Sequence, residues 1–470
     1  MKYSVAKHNA QQFANEQNKP VYITKADKLN DFRVVFSTAE ITPHYSVVEM
    51  VSPTTAEYLQ GKGVHMPDNR IDKNDVTIQL FLKNTLLAEY NNETGEAHIY
   101  EPELLPFNLR DIKGINPVAD AVKKQTGFYN WCCTRVLNIN RANAKKILNA
   151  LNLSQSEEGK FMVSMACHSV SLNDSYWTKL NVETDLNWDN ISLYSNHLSE
   201  IIRHIALTGD LTITGKIDGT TPEVTGQGAY AKAWRREVDG LYLYKADGEM
   251  KQESKIEVEI SNILDCFNVD HVHYDADAYE NDPDLFCCKC KCISDEDTAI
   301  VPAEHFFTWC NRQGKDFRQE VLKLDSENYY KMLVVDYLVA NTDRHIQNWG
   351  FFMDNATGQL TGIHPLFDHN NGFDKNAMEN EGYMSIVESG KTMKEVAEYA
   401  MKRCDFHLVK PLEKSLFKTT FHYETFVKRC KQLGISLDMS NKGKNAGRKN
   451  KMFQNTEKDK VKNEKRGYER

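Results

Sequence analysis

Asp343 and Asn348 stand five residues apart in the string Asn341-Thr342-Asp343-Arg344-His345-Ile346-Gln347-Asn348, and another acid, Asp368, follows further on. A carboxylate can accept or orient a hydroxyl. An amide oxygen and a second carboxylate are hard donors of the kind Mg²⁺ prefers. Together they form the residue set that phosphoryl transfer from ATP needs, because that reaction asks a protein mainly for positioning and charge neutralisation. Asp followed by Asn at this spacing recurs by chance in a chain rich in both, so the surroundings carry the information. An apolar helix with Met332, Leu333, Val334, Val335, Tyr337 and Leu338 precedes the string. Trp349 to Met353, a turn at Asp354-Asn355-Ala356-Thr357-Gly358 and then Leu360 to Phe367 follow it. The pattern predicts a helix, a polar loop and a hairpin whose exit strand returns Asp368 beside Asn348.

The string N-T-D-R-H-x-x-N-W-G, followed by H-P-L-F-D, resembles the catalytic and metal-binding segments of the HipA-like serine/threonine kinases. Similar D-R-H-x-x-N strings occur in phosphoinositide kinases, so the motif speaks to the reaction more than to the substrate. The resemblance implies Asp343 as catalytic base, Asn348 and Asp368 as Mg²⁺ ligands, and His345 and Arg344 as supports of the loop. It also implies a phosphate-covering loop, an ATP lysine and a helix glutamate upstream. Thr225-Gly226-Gln227-Gly228-Ala229-Tyr230-Ala231-Lys232 resembles the family's Gly-x-x-x-Lys loop, where glycine permits close approach of backbone to phosphate. Lys245 ends the apolar run Leu241-Tyr242-Leu243-Tyr244 and suits the ATP lysine. Glu257 is preferred as its partner over Glu259, because Ile260, Leu264 and Phe267 place it at the edge of a buried helical face. Thr225 lies three residues before Gly228, where the family carries an autophosphorylated hydroxyl. Such a phosphate, with about −1.5 to −2 charges, would repel ATP phosphates. The likeness covers about residues 207–437. It departs from the family in an extra glycine in the loop and a long helical insert ahead of it.

The elements that must position these groups are legible in outline. Residues 1–110 read as β-rich, with runs at Val21 to Ile23, Phe32 to Phe36 and Val76 to Leu82, and a strand-turn-strand over Leu86 to Tyr100. Glu101 to Pro106 resembles part of a small N-terminal β module in the same family. Residues 111–206 read as helical, with periodic apolar positions over Arg141 to Leu151 and over Leu198 to Ile205, Gly209 stopping the latter. Trp177 and Trp188 read as packing anchors. Residues 207–302 return to strands, at Leu211 to Thr214, Ala229 to Arg235, Leu241 to Lys245 and Leu285 to Ile293, around a helix near Glu253 to Phe267. Residues 303–437 read as helical with one hairpin. The expected fold is α+β, with a two-lobed protein-kinase-like core of a small β-rich lobe (207–302) and a larger helical lobe (303–437). Leu285 to Ser294 with Asp295-Glu296-Asp297 is expected to be the last small-lobe strand and the hinge where adenine stacks. Cys287-x-x-Cys290 has zinc-ligand spacing, with His305 and Cys310 downstream, but lacks a tight second pair.

The chain has 470 residues with 58 Lys and Arg against 66 Asp and Glu, a net charge of −8. Residues 438–470 hold 11 of the basic and 5 of the acidic residues, so the body before them carries −14. An acidic body lacks the basic face that nucleic-acid binding requires, and the basic tail has too few apolar residues to fold alone. No apolar run reaches about 18 residues, and Met1 to Pro20 lacks the apolar core of a secretory leader. A cytoplasmic protein is therefore expected, without a disulfide framework among its eleven cysteines. The expected activity is ATP- and Mg²⁺-dependent transfer to a Ser or Thr hydroxyl of a protein, the protein itself included. The alternatives are a lipid or small-molecule kinase, and a non-catalytic nucleotide-binding regulator of the toxin–antitoxin type. The resemblance also allows a small DNA-binding antitoxin partner.

Overall fold

The computed structural model describes residues 77–91, 96–111, 127–247 and 252–438, apart from 214, 216, 218, 227, 280 and 281, together with three strands nearer the start of the chain. The expected basic tail beyond residue 438 lies outside the described residues. The strands are β1 (Val21–Ala26), β2 (Phe32–Val35), β3 (Tyr45–Val51), β4 (Ile78–Leu82), β5 (Thr85–Tyr90), β6 (Ala97–Ile99), β7 (Tyr176–Leu180), β8 (Lys232–Glu237), β9 (Gly240–Ala246), β10 (Asp275–Tyr279), β11 (Asp282–Lys291), β12 (Thr298–Pro302), β13 (Gly350–Asp354) and β14 (Gln359–Ile363). The helices used below are α1 (Ala144–Ala150), α2 (Glu200–Thr208), α3 (Glu253–Leu264), α4 (Phe317–Leu338), α5 (Met393–Met401) and α6 (Thr420–Gln432). The fold is α+β with small antiparallel sheets, ordered β2-β1-β3, β6-β5-β4-β7, β10-β11-β9-β8 and β12-β13-β14. Among the described residues, no helix is long and apolar enough to cross a membrane.

The chain divides into two compact units. The first takes the described residues of Met1–Ser254, Asp275–Leu324 and Trp349–His364, and all four sheets belong to it. The second takes Lys255–Tyr274, Asp325–Asn348 and those of Pro365–Arg470, and its regular elements are helical.

In the first unit, β4 alternates buried and half-buried residues along its length, the period-two pattern of a strand with one face on a core. Tyr176 to Leu180 does not continue the helical region expected around it. It pairs with β4, Leu80 opposite Thr178 and Phe81 opposite Trp177, and the Phe81 and Trp177 rings stack at 4.8 Å. Both Trp177 and Trp188 are buried in one apolar cluster with Leu193 and Leu241. A second core joins Ile147 and Leu148 of α1 and Ile202 and Ala206 of α2 to Val224, Ala233, Tyr244 and Cys287, so helices and strands from both sides of residue 207 share it. Helix α2 ends at Gly209, whose φ of 71° is left-handed. The strand expected at Leu211 to Thr214 does not form at 211–213. There the Asp210 carboxylate accepts from the Thr212 amide at 2.8 Å and its hydroxyl at 3.0 Å, a local turn that competes with strand geometry.

In the second unit, α4 breaks at Asp325, whose φ of −157° is not helical. Asp325 accepts from the Asn328 amide at 3.1 Å, the bond by which an N-cap starts a new helix. The helical stretch that follows leads directly into the Asp343 string. Helix α5 starts with a capping box between Thr392 and Glu395, and α6 starts at Thr419, which accepts from the His422 amide.

Candidate active site

The chain after α4 turns at Ala340, which has a φ of 50°, and enters the Asp343 string. Buried polarity holds the string. Arg344 and Asp336 are 1% and 4% exposed, and the guanidinium engages the Asp336 carboxylate through Nε at 3.2 Å and Nη2 at 3.1 Å. Burial raises the Asp336 carboxyl above the ordinary carboxylate value, and the Arg344 charge opposes it. Asn341 adds a bond from Nδ2 to the same carboxylate at 2.9 Å. The other arm of Arg344 donates to the Asn348 carbonyl at 2.6 Å and the Phe367 carbonyl at 2.7 Å. One guanidinium thus ties the end of the Asp343 string to the residue before Asp368. The hairpin between them does form, as β13 and β14 with Phe351 opposite Ile363.

Asp343 is partly exposed, with its Oδ2 accepting from Asn371 Nδ2 at 2.9 Å and lying 3.5 Å from Asn348 Nδ2. Asn348 is buried and donates from Nδ2 to the Asp343 carbonyl at 2.8 Å. This bond fixes which way round the amide stands and leaves Oδ1, an oxygen donor, as its remaining polar atom. His345 Nδ1 accepts from the Gln347 amide at 3.2 Å, so Nδ1 holds a lone pair and the ring proton belongs on Nε2, which lies 3.8 Å from Asp343 Oδ1. The His345 ring thus faces the other carboxylate oxygen of Asp343 from beyond hydrogen-bond distance.

Asp368 takes a left-handed φ of 60°, a conformation that short polar side chains tolerate and that clusters at functional sites. The next amide, that of His369, donates to Glu257 Oε2 at 3.2 Å. Glu257 is 1% exposed, so its buried carboxylate holds the Asp368 turn. Glu259, on the same helix, instead accepts from the Lys418 amide and His422 Nδ1, each at 2.9 Å. The turn closes through Gly372, whose amide donates to the His369 carbonyl at 2.8 Å. A Cβ at Gly372 would lie 2.2 Å from Ile260 Cδ1, so glycine is what lets α3 and this turn touch.

The residues expected on the phosphate side lie in the first unit. Lys232 opens β8 and stands directly opposite Lys245 on β9. Like charges placed directly across a strand pair repel. Gly228, with a φ of 97°, has the Lys232 ammonium only 2.7 Å from where its Cβ would be. A buried side chain from far upstream pins the loop: Arg141 Nη1 donates to the Glu223 carbonyl at 3.0 Å and the Gly226 carbonyl at 3.2 Å, and Nη2 donates to the Lys232 carbonyl. Burial lowers the Arg141 guanidinium to about 10. Beside it Glu223 accepts from the Trp234 amide at 2.9 Å, and burial pushes its carboxyl up to about 7. Thr225 is buried, with its hydroxyl donating to the Pro222 carbonyl at 2.9 Å, so the hydroxyl expected to be autophosphorylated is held within that turn.

At the expected hinge, Glu296 is held by Ser192 Oγ at 2.7 Å and Trp188 Nε1 at 3.2 Å. Cys287 and Cys290, three apart on β11, fall on opposite faces, and Cys287 packs into the core. Among the described residues no group containing these cysteines has metal-ligand spacing.

Asn371, Asp336, Arg141 and Glu223 escaped the sequence reading. The Asn-Asn pair after Asp368-His369 was a usable signal for Asn371. Asp336 was hidden in an apolar helix, and nothing in the sequence connects Arg141 to a loop some 85 residues away.

No family model and no curated protein matches the chain. Among solved structures, the proinflammatory kinase CtkA of Helicobacter pylori is similar at 14% identity and a TM-score of 0.33, over 44% of this chain and 89% of that one. The HipA chain of Shewanella oneidensis MR-1, solved with HipB and operator DNA, is similar at 10% identity and a TM-score of 0.43, over 76% of this chain and 96% of that one. Both likenesses are remote, and the functional reading rests on the residues of the site.

Proposed function

We propose that the protein is an ATP-dependent phosphotransferase, with a Ser or Thr hydroxyl of a protein as acceptor. The observation that carries this reading is the fixed Asp343–Asn348 pair: Asn371 and Asn348 occupy Asp343 Oδ2, and the Asn348 amide is turned so that its oxygen remains. In this reading Asp343 Oδ1 takes the proton of the acceptor hydroxyl, with His345 Nε2 orienting that oxygen. The oxygens of Asn348 and Asp368 fit Mg²⁺, a hard ion with a preference for oxygen donors. Bound there, Mg²⁺ supplies charge neutralisation to the phosphates. Glu257 holds the turn that carries Asp368. Lys232 and Lys245 offer paired positive charge to phosphate oxygens, and Gly226 and Gly228 let the backbone approach them.

The test is incubation of the full chain with γ-labelled ATP and Mg²⁺, followed by separation of labelled protein from labelled lipid and small molecules. Label on protein Ser or Thr supports the reading. Label on lipid alone moves the acceptor class, and ATP binding with no transfer to any acceptor identifies a nucleotide-binding regulator. Lys245→Ala should bind ATP more weakly than the parent, and equal affinity would remove Lys245 from the phosphate site.

A further inference from the structure

A second cluster of chemistry-bearing side chains lies at the far end of α3, away from the Asp343 string. Asp265 follows the last turn of the helix. The chain then turns, and residues 270–272 run alongside Leu366, with the Val272 amide donating to the Leu366 carbonyl at 2.8 Å and the Leu366 amide to the Asp270 carbonyl at 3.0 Å. His271 and His273, two apart on this extended segment, both reach Asp265. His271 Nε2 lies 3.2 Å from Asp265 Oδ1, and His273 Nδ1 lies 3.3 Å from Asp265 Oδ2.

The protonation of His271 is set by its other nitrogen. Nδ1 lies 3.1 Å from the Val269 carbonyl, and a carbonyl can only accept, so Nδ1 carries the proton. Nε2 of the neutral ring is then a lone pair. The side chain is 8% exposed, and Nε2 is buried without a hydrogen-bond partner. A lone pair facing a carboxylate at this distance is unfavourable. An imidazolium paired with Asp265 at 3.2 Å is the competing answer, and the experiment below separates the two. A cation between the two atoms satisfies both.

The spacing lies close to what such a cation needs, a small shift of side chains short of a bound geometry. Tetrahedral zinc with bonds of about 2.0–2.1 Å to nitrogen and oxygen holds its ligand atoms roughly 3.3–3.4 Å apart. The three ligand atoms of Asp265, His271 and His273 all lie within 4.8 Å of one another. A metal-bound histidine usually donates its second nitrogen to a carbonyl or carboxylate, as His271 does to Val269. Asp265 and His273 are partly exposed, which gives an ion a way in and leaves room for water as a fourth ligand. We propose that Asp265, His271 and His273 bind a divalent transition ion of the zinc class, fastening the end of α3 to the extended segment 270–273 that runs beside Leu366. This site stands independently of the kinase reading.

The experiment uses the full chain stripped with chelator, titrated with Zn²⁺ by calorimetry and with Co²⁺ by visible absorption, against His271→Ala, Asp265→Asn and His273→Ala. Circular dichroism checks that each variant folds. His273→Ala, half exposed at its side chain, keeps the test valid if His271→Ala fails to fold. The expected result is one bound equivalent with a Co²⁺ spectrum of nitrogen and oxygen ligands, weakened roughly tenfold or more in each folded variant. Zn²⁺ should raise the melting temperature of the parent and leave that of His271→Ala unmoved. The proposal is overturned if micromolar Zn²⁺ does not bind, if binding is unchanged in folded His273→Ala, or if nitrogen NMR of the stripped protein at neutral pH shows both ring nitrogens of His271 protonated.

Discussion

The string from Asp336 to Asn348 and the loop from Glu223 to Lys232 each hold a short polar segment in place with a buried arginine, by opposite means. Arg344 answers a formal charge eight residues away, Asp336, and spends its remaining donors on two carbonyls. Arg141 donates to three carbonyls, while the nearby Glu223 keeps one oxygen without a hydrogen-bond partner. The first arrangement is a local, charge-matched lock. The second is a long-range clamp on backbone, whose acid is held partly by being driven towards its neutral form. A matched pair fixes geometry rigidly, and a carbonyl clamp fixes the path of a loop while leaving its outer edge open to a ligand.

The comparison can be broken first at its chemical end. Asp343→Asn should lower phosphate transfer by about 10²–10⁴-fold with the melting curve unchanged, since Asp343 is partly exposed; transfer at the parental rate would remove it as the base. The lock itself is tested by Arg344→Ala, which strands a buried carboxylate and should cost roughly 3–5 kcal/mol in urea unfolding. A cost below about 1 kcal/mol, the value of a surface pair, would mean that Asp336 and Arg344 are not held as described. Arg141→Lys keeps a charge but loses the planar fork. It should raise the KM for ATP by about tenfold, in line with one lost charged hydrogen bond, with kcat little altered. An effect on kcat alone would place Arg141 in catalysis rather than in holding the loop.

The smallest effect concerns pH. The Glu223 carboxyl titrates at about 7 when folded against an ordinary value of 4.5. An acid with a raised folded value contributes stability that is full below its unfolded value and is lost as pH rises through the folded one. The parent should therefore lose melting temperature as pH rises from about 4.5 to about 7, and Glu223→Gln should flatten that slope. Parallel curves for parent and variant would show that Glu223 is ionised throughout.

The same contrast explains what the sequence disclosed. The Asp343 string was readable because its parts are close: the helix before it, the spacing of Asp343 and Asn348 and the turn at Asp354 to Gly358 are all local features. The α+β character was readable from apolar periodicity. Tyr176 to Leu180 was placed among helices because its strand character comes from β4, nearly a hundred residues earlier. Leu211 to Thr214 has strand-like composition, but Asp210 diverts its backbone. The clamp on the phosphate loop was invisible, since an isolated arginine in a polar helix-forming stretch looks like any solvated residue.

The partition of the chain has a consequence for how the protein is made. The second unit is assembled from three separated stretches, and the buried Glu257 meets the His369 amide 112 residues later. At a synthesis rate of about 5–20 residues per second, Glu257 leaves the ribosome roughly 5–20 seconds before the group that satisfies it. During that interval Glu257 lacks the His369 amide that it accepts from in the folded chain, while β8 and β9 are already available to pair. The nascent chain can therefore pair β8 with β9 well before it can hold Asp368 in place.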